Sequence, residues 1–150
     1  MARYHVGLDV GKDRHHVCIR DLSDDTYRKP FSVSNDHKGL DQLVASLSAL
    51  SADLNDFLIG VESCPYGLNV SYFLLSAGFN LVEVNTFRAG QFRKAQGKKA
   101  KTDRIDARCV ADILSLSDHK PLCIPEQLCT ASLRQSARRL YHSPIPCSVR

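Results

Sequence analysis

Two aspartates three residues apart, Asp103 and Asp106, directly follow the lysine-rich run Gly97-Lys98-Lys99-Ala100-Lys101-Thr102. Thr102 suits a helix N-cap, which puts both carboxylates in the first helical turn, where free backbone N–H groups and the macrodipole favour ionised acids. The i, i+3 spacing sets them on one side of that helix. Asp106 borders a stripe of Ile105, Cys109, Ile113 and Leu116 that has to face a core, so the pair belongs at the rim of a packed interface. Paired carboxylates beside a cationic strip suit a divalent metal and a phosphodiester. Aspartate is also a common first-turn residue, and a solvated helix start accounts for these two unless partners stand elsewhere in the chain.

The elements that must position such partners follow from periodicity. Tyr4–Val10 is rich in apolar and β-branched residues and reads as a first strand interrupted by Asp9, an acid that is costly inside a strand unless paired, hydrogen-bonded or metal-bound. A turn at Gly11-Lys12-Asp13 returns the chain as a second strand, His15–Arg20, whose two histidines are ordinary strand residues, one of them exposed. Tyr27–Val33 is a third strand, irregular at Pro30. Ser34 or Asn35 caps a helix in which Leu40, Leu43, Val44, Leu47 and Leu50 share one face. Phe57–Glu62 is a near-continuous apolar run, as expected of a strand buried on both faces, and it ends on an acid, Glu62. Ser63 or Cys64 with Pro65 in the first turn opens a second helix, with Leu68, Tyr72 and Leu75 on one side and Gly78 as its stop. Leu81–Val84 is a fifth strand, with Glu83 outward. A basic loop leads to the Asp103 helix; beyond Leu116 a weak helix spans Glu126–Tyr141, and the tail from Ser143 has no periodicity.

The resulting expectation is α/β: a mixed five-stranded sheet with helices packed on it, and ligands at the ends of its parallel strands. Asp9, Glu62, Asp103 and Asp106 then make four carboxylates in positions set by the fold. Two-metal phosphoryl transfer needs about that many oxygen ligands, and Mg²⁺ suits an all-carboxylate site, with Mn²⁺ as the alternative.

A chain of 150 residues is long enough to bury a core in one domain. Hydrophobic residues make up 43% and charged residues 24%, a balance that excludes a disordered chain. No apolar run approaches the ~20 residues of a membrane span, and no signal peptide opens the chain, so a cytoplasmic setting and no membrane partner are expected. The six cysteines include no C-x-x-C pair, which argues against zinc and for reduced thiols. The net charge of +4 is unevenly spread. Arg88, Arg93, Lys94, Lys98, Lys99, Lys101, Arg104 and Arg108 crowd one segment, the footprint of a nucleic-acid backbone contact, although a basic run also serves as a plain solvated loop. Arg93, Lys94, Lys98, Lys99, Lys101 and Arg104 are the candidate phosphate contacts.

Three stretches, Gly7-Leu8-Asp9-Val10-Gly11-Lys12, Val61-Glu62-Ser63 with Pro65 and Tyr66, and Lys101-Thr102-Asp103-Arg104-Ile105-Asp106-Ala107, resemble the motifs of the N-terminal DEDD domain of a class of bacterial insertion-sequence transposases. Pilin-inverting recombinases are related to it. The resemblance spans about residues 4 to 117 and implies a ribonuclease-H-like, Holliday-junction-resolvase-like fold, with Asp9, Glu62, Asp103 and Asp106 as catalytic metal ligands. Cys64 departs from the glycine that relatives often carry before the aromatic. The resemblance divides the chain into a catalytic domain over 1–117 and a partial helix with tail over 118–150. It further implies DNA as substrate, a homo-oligomer when full length, a structured guide RNA in some members, and a second, serine-bearing domain; neither Ser143 nor Ser148 is assigned as that serine.

The leading reading is therefore a transposase domain for metal-dependent DNA strand cleavage and exchange, inactive alone. A standalone junction-resolving nuclease would cut four-way junctions at this length, and a non-catalytic binding module would hold the backbone without cutting. A sugar-kinase-like ATPase, prompted by the Gly7–Lys12 stretch, lacks its second phosphate loop.

Overall fold

The computed structural model describes residues 1–97, 103–116, 119, 121 and 122. The expected weak helix over Glu126–Tyr141 and the tail beyond it lie outside the described residues, as do Lys98, Lys99 and Lys101. The elements are β1 (Tyr4–Val10), β2 (Arg14–Asp21), β3 (Thr26–Tyr27), β4 (Phe31–Ser34), α1 (His37–Ser48), β5 (Phe57–Glu62), α2 (Gly67–Ser76), β6 (Asn80–Val84), α3 (Thr86–Ala95) and α4 (Asp103–Ile113), with a short 3₁₀ turn at Leu54–Asp56.

One mixed sheet runs in the order β3-β2-β1-β5-β6, and β4 also pairs with β2. β1 is antiparallel to β2 and parallel to β5, and β5 is parallel to β6. The third strand expected over Tyr27–Val33 is split, because Pro30 cannot donate to the ladder; Thr26–Tyr27 and Phe31–Ser34 pair separately with the two ends of β2. With both segments covering β2, His15 is fully buried and His16 half-buried, so neither is the exposed residue the pattern suggested.

Alternation along each strand builds two layers. Tyr4, Val6 and Leu8 of β1 and Phe57, Ile59 and Val61 of β5 pack with Leu40, Leu43 and Leu47 of α1 and Val70, Phe73 and Leu74 of α2 in the main core. The opposite face receives α3 and α4 through Val82, Val84, Ala89, Val110, Ile113 and Leu114.

Several boundaries differ from expectation for local reasons. α1 is capped by Asp36, whose carboxylate accepts from the Gly39 N–H at 2.7 Å, while the Ser34 hydroxyl donates to Asp36 and the Asn35 amide to the Lys12 carbonyl. α2 starts at Gly67 without a side-chain cap, so Pro65 precedes the helix, and its buried face is Val70, Phe73 and Leu74, leaving Leu68 53% exposed. Gly78, at φ +94°, does end it. The first part of the segment read as a basic loop is helix, over Thr86–Ala95: Asn85 caps α3 by accepting from the Phe87 N–H, and Gly97, at φ +71°, follows its end. After α4 the chain returns to β6, where Pro121 bridges Val82 and the Leu122 N–H donates to the Leu81 carbonyl at 2.8 Å.

Candidate metal and nucleic-acid site

Gly7 and Gly60 are register partners in the parallel β1–β5 pair, and together they make a flat place on the sheet. A Cβ on Gly7 would lie 2.0 Å from the Ala107 carbonyl oxygen and 2.5 Å from the Ala111 nitrogen; one on Gly60 would meet Val110 Cγ1 at 2.9 Å and Leu114 Cδ2 at 3.0 Å. Only glycine lets the α4 backbone approach that closely. Farther along, His5 Nδ1 and Ser115 Oγ are 3.1 Å apart. α4 thus runs against β1, and its first turn lies over the C-terminal ends of β1 and β5.

Two rows on α4 follow. Ala107 and Ala111 lie over Gly7, and Val110 and Leu114 over Gly60, with Asp106 one turn earlier in the second row. On the strands the same face carries Asp9 two residues beyond Gly7 and Glu62 two residues beyond Gly60. Asp9 and Glu62 are half-buried and follow directly on the last β1–β5 partners, Leu8 and Val61, except that Asp9 also pairs across to His16 of β2. Asp106, 7% exposed, belongs to the row that points along β5. The helix therefore brings its start to the strand ends bearing the other two acids. The side chains of Asp103 and Arg104 lie outside the described residues. Among the described residues, no three His, Cys, Asp or Glu side chains are grouped to hold a metal ion.

Asp106 is instead held by Arg93 of α3, whose guanidinium donates to its Oδ1. Arg93 was expected on a phosphate. Here it is an internal partner, because α3 packs beside α4 and buries most of the arginine, whose side chain is 22% exposed. Lys94, next in sequence, is exposed. Of the expected apolar stripe, Cys109 and Ile113 are buried, Leu116 is 63% exposed and the side chain of Ile105 lies outside the described residues; Ala107, Val110 and Ala111, with Leu114 just beyond the helix, are buried as well.

A polar network that sequence reasoning missed fastens the far side of α4. The Tyr27 hydroxyl donates to Asp112, Arg20 lies 3.7 Å from the same carboxylate and donates to Asp25 at 2.8 Å, and the Arg108 guanidinium covers the Tyr27 ring at 3.9 Å. Burial, then the bond to Asp112, pushes the Tyr27 phenol up; burial, then the Arg20 charge, pushes His5 down. Asp112 lies a helical distance from Arg108 on the face toward Tyr27, but nothing local in the sequence links position 27 to 112. Beside Glu62 a cleft of about 360 Å³ opens at the strand ends, lined by Ser63, Cys64, Leu68, Ser71 and Leu122 among others.

Two solved structures share this architecture. A Thermus thermophilus RuvC structure superposes with a TM-score of 0.54 at 13% identity, covering 79% of this chain and 99% of that one. T. thermophilus RuvC in complex with a Holliday junction substrate gives 0.53 at 12% identity with the same coverage. The fold is thus the expected α/β, ribonuclease-H-like one. No curated protein matches the chain. The family model described as Transposase, of the IS110-type DEDD class, matches residues 6–143, beyond the span of about 4 to 117 read from the motifs. By that match over most of its length, the chain belongs to the IS110-type DEDD transposase family.

Proposed function

We propose that the chain supplies the metal-dependent strand-cleaving site of a transposase, with Asp9, Glu62, Asp103 and Asp106 as the ligands of Mg²⁺ or Mn²⁺. The observation that carries this is the Gly7–Gly60 platform, which seats α4 so that its first turn meets the ends of the two strands bearing Asp9 and Glu62. The donor set fits: hard carboxylate oxygens suit Mg²⁺ or Mn²⁺. When bound, such an ion supplies Lewis-acid stabilisation of the attacking and leaving oxygens of a phosphodiester. The chain's own contribution is to hold the acids on rigid elements beside the backbone. Lys94, Lys98, Lys99, Lys101 and Arg104 meet phosphates, which position DNA without reading its sequence.

In the full assembly this unit, residues 1–117, works with DNA as a homo-oligomer in the cytoplasm, with a structured guide RNA where the element encodes one. Among the described residues no helix is long and apolar enough to cross a membrane. A second reading, junction cutting by the chain alone, is favoured by the resemblance to RuvC captured with a Holliday junction. Incubating the purified chain with an end-labelled four-way junction separates the two. Binding without cutting in Mg²⁺ and in Mn²⁺ is the result expected of a domain that needs more of its transposase; symmetrical nicks, lost in E62Q, are the result expected of a resolvase. No binding to any DNA contradicts both.

A further inference from the structure

We propose that Arg93 is the built-in counter-ion of the carboxylate site, occupying Asp106 in the metal-free protein and giving it up when a divalent cation binds. This rests on the metal reading above and adds a residue to it. Asp106 is nearly buried, and its carboxylate is held by a guanidinium from a different helix, α3. A carboxylate in that setting would be strongly destabilising without a cation, and the same burial makes any second cation at that carboxylate repel the first. The positive charge of Arg93 therefore holds the metal-free site together and weakens the metal's hold on it.

The contact also sits at a junction of the chain. Arg93 lies in the last turn of α3 and Asp106 in the opening of α4, so this ion pair ties together the two helices that flank Lys98, Lys99 and Lys101. Exchange of guanidinium for metal at Asp106 links occupancy of the site to the tie between those helices. Arg93 is a positioning residue in this account: it acts through Asp106.

Calorimetric titration of the 150-residue chain with MnCl₂ and with MgCl₂ tests the idea, comparing wild type, Arg93→Gln and Asp106→Asn. Removing a competing charge should tighten metal binding in Arg93→Gln by at least about fivefold, the lower end of ordinary site–site coupling, while lowering its melting temperature in EDTA. Asp106→Asn should bind metal more weakly than wild type. An Arg93→Gln dissociation constant equal to or weaker than that of wild type overturns the inference while leaving the metal site standing. Wild type that binds neither ion, or Asp106→Asn that binds as wild type does, overturns the metal role of Asp106 and the inference with it. Should Arg93→Gln not fold, the wild-type protein still decides: the Arg93 guanidinium signals in NMR should shift and exchange faster with solvent at saturating Mg²⁺, and signals that ignore the ion overturn the proposal.

Discussion

Asp21 has no exposed side-chain surface and sits at the corner where β1, β2 and β3 meet, far along β2 from the carboxylate site. It accepts from Arg3 at 3.2 and 3.0 Å, from the Ser23 hydroxyl at 2.6 Å and from Arg28 at 3.1 Å. These bonds, Arg3 first, hold its carboxyl well below the usual carboxylate range despite burial. A lowered folded-state value means stability that is fully present above the unfolded value near 4 and lost as pH falls below it. Asp21→Asn should therefore cost about 2 kcal/mol at pH 7, a buried-pair loss discounted for the half-exposed guanidinium groups, and should lose less than wild type between pH 5 and pH 3. Urea midpoints at the two pH values measure it; parallel losses would contradict the assignment. The proposed phosphate contacts belong to the same scale. Replacing Lys98, Lys99 and Lys101 with alanine should weaken DNA binding about equally across sequences and flatten the slope of log K against log salt by about 2 to 3, near 0.9 per lost phosphate contact. An unchanged slope removes those lysines from the interface.

At the scale of elements, α4 is the part on which the site depends, and two glycines decide where it lies. Gly7→Ala drives a methyl group into helix backbone, which cannot yield locally, whereas Gly60→Ala meets the ends of Val110 and Leu114, which can rotate. Overpacking of this kind should cost about 3 kcal/mol at Gly7 and about 1 kcal/mol at Gly60. Equilibrium unfolding in urea checks the order, and a Gly60 variant more unstable than the Gly7 variant would contradict the packing. The strands bearing Asp9 and Glu62 were legible in the sequence because each is an apolar run broken by one acid, and the start of α4 because its lysines and aspartates are so unevenly placed. α3 was not, since among its described residues Ala89 and Phe92 alone add apolar packing to the core and its charges resemble those of a loop. Nor was the Arg93–Asp106 pair, which depends on how α3 and α4 pack. The inward face of α2 was misplaced for a related reason: with apolar residues on most sides, its periodicity does not choose Val70, Phe73 and Leu74 over Leu68.

For the whole molecule the question is whether the carboxylates carried by β1, β5 and α4 act as one site. An ion that binds only the folded chain stabilises it by RT ln(1 + [L]/Kd), about 1.4 kcal/mol at ten times Kd, which for a domain of this size raises the melting temperature by about 3–5 °C. Asp9→Asn keeps the shape of the side chain while removing a charge and a ligand from the strand farthest in sequence from α4. Melting wild type and Asp9→Asn in EDTA and in ~10 mM MgCl₂ or MnCl₂, a concentration meant to exceed Kd about tenfold, is the most direct test. Wild type should show a rise that Asp9→Asn largely loses. A wild-type curve indifferent to both ions, or an equal rise in Asp9→Asn, would contradict a metal site built on these four residues.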